Sequence, residues 1–476
     1  MPPSNKTKLV CTLGPASGSR DVVMNMMRAG MDVARLNLAH GDPDSHRRLI
    51  DNVREAAGAL GKHVAVMADL PGPKLRIGPL SRNPIELSAG LEVTLSTDAV
   101  TGDESRLPVD FLALPRAVRP GDMVFLNDGY VQLEVRRVRD TEVDCSVVIG
   151  GEIRSRQGLN LPGVDLGISA FTDNDRRCLE FALAQGVDAV SQSFVEAPAD
   201  VTAVRAAAAA LGHKPFIIAK IERAAVLQRV DEILAVADGI MIARGHLGVE
   251  VPIESLPAIQ KQLTASANRA GKPVITATQM LESMTHNRRP TRAEVTDVAN
   301  AVLDGTDCVM LSGESAVGRH PVAAVAMLAS IAAAIEPLRS TRPGCAVASP
   351  ITEGAVAEPR DLVAASVETA LRHGAPAAVV VPTLSGATAR SVARFRPSAW
   401  CVAVSPAAKT CRELQFSWGV HAVHASRPPA DWAVFARAWL RDHGVQGDLV
   451  ILVEGPSAEH PSANDRMEII DLRRSR

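Results

Sequence analysis

The stretch Phe216-Ile-Ile-Ala-Lys220-Ile-Glu222 decides the fold of this chain. It is a short apolar run with β-branched residues, typical of a parallel strand buried on both faces, and it ends in a lysine and a carboxylate. Three later runs have the same form and also end in polar residues: Gly239–His246, Val274–Gln279 and Cys308–Glu314. Helix-like sequence follows each run, so the pattern predicts βα units with a candidate active site where the strands end.

Four other runs of this kind bring the number of predicted strands to eight. They are Lys8–Leu13, Val33–Leu38, Val64–Asp69 and Ala189–Phe194. Eight βα units predict an α/β fold of the (β/α)8 barrel type, closed and with right-handed crossovers.

The predicted barrel is interrupted once and is followed by a further domain. Short alternating strands with the turn dipeptides Asp128-Gly129 and Pro120-Gly121 predict a β domain inserted after the third barrel strand. A stretch with Pro and Gly, Pro337–Pro359, predicts a linker to a C-terminal α/β domain. The expected boundaries are 1–72 and 166–340 for the barrel, 73–165 for the insertion and 341–476 for the C-terminal domain. Strands of the last domain are expected at Ala377–Pro382, Cys401–Val404, Val420–Val423, Leu449–Val453 and Glu468–Leu472.

Charge and cysteine content exclude several classes of partner. The 476 residues carry 51 Lys and Arg against 53 Asp and Glu, so neither a nucleic acid nor an anionic membrane is an expected partner. The seven cysteines are odd in number and scattered, which favours reduced thiols in the cytoplasm over a disulfide framework. No apolar signal core begins the sequence, and the longest apolar stretch, Val322–Ile335, is shorter than the roughly 18 residues of a membrane span. We therefore expect a core helix there.

The strand ends carry residues suited to phosphate chemistry. Lys220 and Glu222 lie two positions apart, so both point to one face, where the ammonium could neutralise a phosphoryl group and the carboxylate could hold Mg2+. A structural ion pair is the alternative. Arg35 and Asn37 share a face in the same way, which suits a phosphate clamp, with a helix C-terminal ion pair as the alternative for Arg35. Asp69 ends the third strand.

Three further features have two interpretations each. The turn Gly245–Gly248 is expected to precede a helix, so its free N–H groups could bind a carboxylate or a phosphate, although such a turn alone is weak evidence. Thr278 follows a strand and precedes an expected helix, Met280–Met284, either as an acid–base hydroxyl or as a helix cap. Arg76, at the hinge into the insertion, could close over a nucleotide or remain a solvated surface arginine.

Longer motifs point to one family. They are RLN..HG (Arg35–Gly41), GLNLPG (Gly158–Gly163), KIE (Lys220–Glu222), ARG.LGVE (Ala243–Glu250), ATQMLESM (Ala277–Met284), RPTRAEVTDVANAVLDGTD (Arg289–Asp307) and MLSGE (Met310–Glu314). In this order they resemble pyruvate kinase along essentially the whole chain. The resemblance implies a (β/α)8 barrel, a mobile β-barrel lid and a C-terminal α/β domain, usually assembled as a homotetramer. It also implies phosphoryl transfer from phosphoenolpyruvate to ADP, which gives pyruvate and ATP in glycolysis.

The resemblance implies roles for individual residues around the transferring phosphoryl group. Arg35 would hold this group, Lys220 would stabilise its charge in the transition state, and Glu222 would bind the divalent metal. The side chains expected to contact the nucleotide are His40, Arg76 and Asn37.

Other residues would handle the carboxylate and the enolate. The backbone of Gly245 and His246 and the hydroxyl of Thr278 would bind the substrate carboxylate. Thr278 would also lie where a proton could reach the enolate, through water and Ser312.

One departure from the family pattern lies at the metal site. The usual loop is RGDLG, whose Asp is a ligand of the divalent ion, but this chain has His246. Because an imidazole is neutral and Mg2+ prefers hard oxygen ligands, the site could keep Mg2+ through Glu222, water and substrate. It could instead favour Mn2+, Co2+ or Zn2+, or it could be inactive.

A second departure concerns the monovalent cation. Many relatives bind K+ through Asn, Ser and Asp side chains and have a Glu in the loop after the third strand. Asn37 and Asp69 are present here, but the Ser position is Ala39 and the Glu position is Lys74. A tethered ammonium can replace K+, so we expect that K+ is not required. Three smaller departures are Gln157, Glu196 and Arg223.

Three functions remain open at this point: an active pyruvate kinase, an impaired paralogue acting as a binding or regulatory protein, and a 2-oxo-acid lyase on the same scaffold. The presence of Lys220, Arg35 and Thr278 favours phosphoryl transfer over the lyase. In the C-terminal domain, Thr383–Thr388 resembles a loop that holds sugar-phosphate effectors, although a helix-capping turn has the same sequence features.

Overall fold

The computed structural model describes residues 4–339, 359–455 and 465–474. At its centre is a closed barrel of eight parallel strands, which confirms the predicted (β/α)8 fold. Numbered along the chain, the barrel strands are β1 (Lys8–Leu13), β2 (Met31–Asn37), β3 (Ala65–Asp69), β12 (Ala189–Gln192), β13 (Phe216–Ile221), β14 (Gly239–Ala243), β15 (Val274–Ala277) and β16 (Cys308–Leu311). The helices of this part of the chain are α1 (Arg20–Ala29), α2 (Pro43–Leu60), α4 (Asp173–Ala184), α5 (Pro198–Ala210), α6 (Val230–Val236), α7 (Arg244–Glu250), α8 (Leu256–Arg269), α9 (Arg292–Asp304), α10 (Gly313–Ala316) and α11 (Pro321–Ile335).

The barrel strands are buried on both faces because each face meets a different apolar cluster. In β13, Phe216 and Ile218 belong to the cluster inside the barrel. Ile217 and Ala219 belong to the cluster between strands and helices. Since side chains alternate along a strand, the inward row continues to Lys220 at the end of β13.

One predicted barrel strand, Ala189–Phe194, is too long. The observed strand β12 ends at Gln192, and Phe194 has a φ of 54°, a left-handed conformation that cannot continue a strand. The backbone N–H of Phe194 donates instead to the carboxylate of Glu222 at 2.8 Å. A contact at the strand ends therefore takes the place of sheet pairing.

The apolar stretch at Val322–Ile335 forms helix α11, and its inner side chains lie in the cluster between strands and helices. With the turn that follows, Pro321–Leu338 is long and apolar enough to cross a membrane by length and composition alone, with a mean hydropathy of 1.8. Its contacts are with α1, α9 and strands of the barrel. In this structure it is therefore an outer helix of the barrel.

The insertion is a separate sheet domain, as predicted. Its strands form a six-stranded sheet in the order β11-β7-β8-β9-β5-β6 and a two-stranded sheet of β10 and β4, around one apolar core. The elements are β4 (Ile85–Leu87), β5 (Glu92–Ser96), β6 (Arg106–Pro108), α3 (Leu114–Ala117), β7 (Met123–Leu126), β8 (Val131–Val138), β9 (Glu142–Ile149), β10 (Gly151–Ile153) and β11 (Leu159–Asn160). Isolated bridges such as Ile77 with Val109 add to these sheets, which are not joined into one closed ladder among the described residues.

The C-terminal domain is an α/β sandwich. Its sheet has the order β19-β18-β17-β20-β21, in which only β21 runs antiparallel to its neighbour. The elements are α12 (Pro359–Gly374), β17 (Ala378–Pro382), α13 (Ala387–Ala393), β18 (Trp400–Ser405), α14 (Ala408–Glu413), β19 (Val420–His424), α15 (Trp432–His443), β20 (Leu449–Glu454) and β21 (Arg466–Asp471). The predicted linker Pro337–Pro359 and the boundary at 340/341 fall largely outside the described residues.

A phenylalanine of the C-terminal domain closes the end of the barrel where the strands begin. Phe416 is fully buried and belongs to the same cluster as the residues inside the barrel. Its ring stacks on Phe216, the first residue of β13, with centroids 5.5 Å apart. The thiol of Cys308, the first residue of β16, lies 3.3 Å from the carbonyl oxygen of Phe416.

Ion pairs surround this contact. Arg396 donates to both oxygens of Asp307, at 2.6 and 2.7 Å. Arg412 donates to Asp188 at 2.6 Å, and Asp188 also accepts from Arg54 of the barrel at 2.9 Å. Both aspartates immediately precede a barrel strand, so the C-terminal domain is fixed to the strand starts by apolar and charged contacts together.

We expect Phe416→Ala to destabilise the folded chain by roughly 3–5 kcal/mol, because it empties a fully buried aromatic site at the barrel mouth. The midpoint of thermal or urea unfolding measures the effect. Val434→Ala, on an exposed position of α15, is the control and should leave the midpoint within experimental error. Equal midpoints for both variants would show that the barrel does not depend on this contact.

Candidate functional site

A cluster of buried charges lies where the barrel strands end. Arg35, the inward residue near the end of β2, donates from Nε to Oδ2 of Asp69 at 3.1 Å and from Nη1 to the hydroxyl of Thr12 at 2.8 Å. Asp69, at the end of β3, also accepts from the Ser191 hydroxyl at 2.7 Å and lies 3.3 Å from Nζ of Lys220. The carboxylate of Asp69 is therefore shared by two cations.

Lys220 lies between two carboxylates. Its Nζ is 3.0 Å from Oε1 of Glu222 on one side and contacts Asp69 on the other, and it donates to the hydroxyl of Ser193 at 2.7 Å. The second oxygen of Glu222 accepts the backbone N–H of Phe194. The predicted shared face of Lys220 and Glu222 is thus observed, and the pair has ordered partners on every side.

The protonation states of this cluster follow from its alternating signs. Burial alone would raise the pKa of the Asp69 carboxyl, but Arg35 and Lys220 outweigh it and hold that pKa well below its usual range. Burial likewise opposes ionisation of Lys220 and Glu222, yet their opposite neighbours raise the pKa of Lys220 and lower the pKa of Glu222. All three groups are charged at neutral pH.

The turn at Gly245 differs from the expectation. Helix α7 begins at Arg244, so Gly245 and His246 lie in its first turn and do not precede it. The first residue of this helix, Arg244, is buried and fixed in place. It donates to the carbonyl oxygen of Thr278 at 2.6 Å and to Asp297 at 2.7 Å. The N–H of Gly245 donates to the hydroxyl of Thr278 at 2.8 Å, which joins the ends of β14 and β15.

Thr278 is held in a strained conformation. Its φ is 67° and that of Gln279 is 55°, in the left-handed region that a β-branched residue rarely adopts, at a cost of order 1–3 kcal/mol. The expected helix Met280–Met284 is wrong: the structure has a 3-10 turn at Glu282–Thr285. Thr278 therefore does not cap a helix after β15, and its hydroxyl instead accepts the N–H of Gly245 in the first turn of α7.

A buried carboxylate holds the neighbouring loops. Glu314, fully buried at the start of α10, accepts the N–H of Leu281 at 3.0 Å and the N–H of Ser312 at 2.7 Å. These bonds fix the loop after β15 and place Ser312 beside it. Glu314 lies in the MLSGE motif, but the sequence alone suggested no role for it.

The residues predicted to contact a nucleotide lie on the side of the insertion. His40 is exposed, but partial desolvation by its surroundings lowers its pKa, and so do the nearby positive charges of Lys74, Arg76 and Arg35. These cations therefore lie around it. Arg76 donates to the carbonyl oxygen of Arg156 in the insertion at 2.8 Å. The structure thus brings His40 and Arg76 into one electropositive region.

The candidate region for a monovalent cation is occupied by protein charges. The side-chain oxygen of Asn37 accepts the N–H of Ala39 at 3.2 Å, and Asp69 is already paired. Burial and the nearby Lys220 lower the pKa of Lys74, while Asp69 acts in the opposite direction. In the part of the chain that the structure describes, the Lys74 ammonium has no hydrogen bond or ion pair, so it remains available to a ligand.

The residues present fit a divalent metal ion. Glu222 is ionised, His246 contributes to lowering its pKa, and Nδ1 of His246 is buried without a hydrogen-bond partner among the described residues. The imidazole packs against the ring of Phe194, with centroids 5.5 Å apart. No cluster of three His, Cys, Asp or Glu side chains that could hold a metal ion occurs within the described ranges, so an ion here would take further ligands from substrate and water.

Fixed cations around a paired carboxylate lie at the strand ends of a (β/α)8 barrel with a separate sheet domain beside them, an arrangement that suits an enzyme of phosphoryl transfer. Residues 4–325 match the family model described as pyruvate kinase, barrel domain, and residues 361–470 match pyruvate kinase, alpha/beta domain. The chain belongs to the pyruvate kinase family, and it is an enzyme of that glycolytic kinase class.

Individual relatives agree over most of the chain. The pyruvate kinase of Thermococcus litoralis is 46% identical over 423 residues, which is 88% of either chain. That of Geobacillus stearothermophilus is 42% identical over 472 residues, 96% of this chain and 79% of the relative. The crystal structure of a pyruvate kinase from Cryptosporidium parvum has a TM-score of 0.90 and 34% identity, covering 98% of this chain and 96% of that chain.

We expect Lys220→Met to lower turnover by roughly 10²–10³-fold or more, because it removes a buried ammonium beside the site of phosphoryl transfer. A coupled assay for pyruvate formation measures the loss, and circular dichroism verifies that the variant is folded. Lys214→Met, an exposed position at the start of the same βα unit, is the matched control. Near-normal activity in folded Lys220→Met would contradict the assignment.

Proposed function

We propose that this chain transfers the phosphoryl group of phosphoenolpyruvate to ADP without requiring K+ and with an altered preference among divalent metals. The observation that supports it is the position of Lys220, charged and fixed between Asp69 and Glu222 where a phosphoryl group would lie. A coupled assay with phosphoenolpyruvate and ADP, run with Mg2+, Mn2+ and Co2+ in turn, tests the proposal. Absence of turnover with every metal would favour the binding or regulatory alternative, and pyruvate formation without ADP would favour a lyase.

The proposed chemistry depends on positioning and on charge. Arg35 and Lys220 would hold the phosphoryl oxygens, since little covalent chemistry is needed once the reacting atoms are aligned. The substrate carboxylate would replace the Thr278 hydroxyl as acceptor of the Gly245 N–H. Thr278, freed from that bond, and Ser312 would then lie on the path of the proton that reaches the enolate.

Glu222 and His246 would hold the divalent ion. When bound, the ion supplies positive charge that neutralises phosphate oxygens. His246 contributes a neutral nitrogen in place of a carboxylate, so this chain gives the ion one negative charge fewer. Lys220 and the N–H of Phe194 stabilise the ionised form of Glu222.

Lys74 would take the place of K+. Its ammonium is partly buried, within electrostatic range of Asp69 and without a fixed partner among the described residues. Because Ala39 provides no side-chain oxygen, the ion cage lacks a ligand as well. His40, Arg76 and Asn37 would contact the nucleotide from the same side.

The roles of the domains, the oligomeric state and the location are proposed from the family resemblance. Residues 73–165 would act as the lid, 1–72 and 166–340 as the barrel domain, and 341–476 as the C-terminal domain. A homotetramer in the cytoplasm is the assembly and location that the family resemblance and the scattered cysteines favour.

Catalysis should be independent of K+. We expect equal rates in tetramethylammonium and potassium salts at constant ionic strength, because Lys74 supplies the charge that K+ would bring. The double variant Ala39→Ser/Lys74→Glu, which restores an oxygen and a carboxylate, should become K+-dependent. A tenfold stimulation of the unmodified chain by K+, about 1.4 kcal/mol of barrier, would rule the idea out.

His246→Asp should increase activity supported by Mg2+, while the unmodified chain should work relatively better with Mn2+ or Co2+. A hard, strongly hydrated ion depends most on carboxylates, whereas softer first-row ions accept imidazole. Metal titrations of activity measure both effects. His246→Asn is the control, since it offers an oxygen without the charge. If Mg2+ affinity is ordinary and His246→Asp changes nothing, His246 is not a ligand.

A further inference from the structure

Arg223 joins three segments around the metal-binding strand end. It follows Glu222 directly, and its side chain is only 7% exposed. Nη2 donates to the carbonyl oxygen of Val164 at 2.6 Å, Nη1 lies 3.2 Å from a carboxylate oxygen of Glu250, and Nε lies 3.1 Å from a carboxylate oxygen of Glu196. A buried guanidinium held by one hydrogen bond and two ion pairs is a fixed structural element and not a solvated surface charge, although its Nε makes no hydrogen bond among the described residues.

Its partner Glu250 completes a clamp on the backbone. Glu250 is the last residue of α7, the helix that carries His246, and its side chain is 4% exposed. Burial raises the pKa of Glu250, against the opposing effects of Arg223 and of backbone N–H groups that include that of Gly163. The ion pair therefore holds the Arg223 guanidinium against the carbonyl of Val164, where the chain leaves the insertion.

A second contact joins the insertion to the same helix. The turn Asn127–Gly129 of the insertion packs against α7, and a side chain at Gly129 would lie 3.6 Å from Val249. The orientation of the insertion is thus set by α7 at two places, one of them through Arg223.

Glu196 and Arg223 are both departures from the motifs of the family that the sequence resembles. The two residues now form an ion pair across the ends of β12 and β13. The pair places a cation directly after Glu222, at the end of β13.

We propose that Arg223 is a positioning residue that couples the closed orientation of the insertion to the metal-binding end of β13. It contacts neither the proposed phosphoryl site nor the nucleotide residues. It acts by fixing Val164 and by compensating the charge of Glu250, which would otherwise be buried unpaired. The inference rests on the proposed role of residues 73–165 as a lid over the nucleotide.

Arg223→Gln should loosen the exit of the insertion. Hydrogen–deuterium exchange of residues 158–166, measured without substrates, should become about tenfold faster, since a populated open state governs exchange there. The KM for ADP should rise by about the same factor, because only the closed fraction binds the nucleotide well. The kcat and the KM for phosphoenolpyruvate, which is bound by the barrel, should stay within about threefold.

Arg229→Gln is the matched control, because the ion pair of Arg229 among the described residues is with the exposed Glu232. The double variant Arg223→Gln/Glu250→Gln leaves no unpaired buried charge, so it should fold even if the single variant does not, and it should show the same faster exchange. Unchanged exchange in folded Arg223→Gln, or in the double variant, overturns the proposal. An inactive unmodified chain would refute the proposed function and leave the exchange result standing, so the two failures can be told apart.

Discussion

The structure at the strand ends of the barrel depends on a row of four buried side chains with alternating charge. They are Arg35, Asp69, Lys220 and Glu222, and each forms an ion pair with the next. Taking a single ion out of water costs several kcal/mol, and only an opposite neighbour at close range offsets that cost. Each member therefore requires the next, and β2, β3 and β13 must keep their register for the row to exist. The requirement for folding and the requirement for the proposed chemistry are here the same constraint.

Strict alternation made much of this predictable. Once Phe216–Ile221 is identified as a buried strand, Lys220 and Glu222 have to share the inner face, and the closed barrel follows from the number of such strands. Other features depend on contacts that no local pattern reports. Thr278 adopts its left-handed backbone because Arg244 and the loop after β16 hold it there, whereas its own sequence favours a helix.

The inserted domain likewise has features that the sequence predicts and features that it does not. Its turns and its separate core could be predicted from Gly and Asp positions and from alternation. Its attachment to α7 could not, because Arg223 and Glu250 are separated from Val164 by more than fifty residues of barrel. In the sequence, Glu196 and Arg223 are two separate departures from the motifs of the resembled family, and in space they form one ion pair.

The position of Phe416 at the opening of the barrel has a consequence for synthesis of the chain. The first strand of the barrel pairs with the last, yet in the part of the chain that the structure describes, Phe416 of the C-terminal domain covers the apolar mouth at the strand starts. A ribosome therefore releases a complete set of barrel strands well before their lower opening can be covered. Until Phe416 emerges, the nascent barrel exposes apolar surface of the kind that chaperones recognise and that promotes aggregation. Because the C-terminal domain is synthesised last, the apolar opening of the barrel domain can be buried only once that domain has emerged.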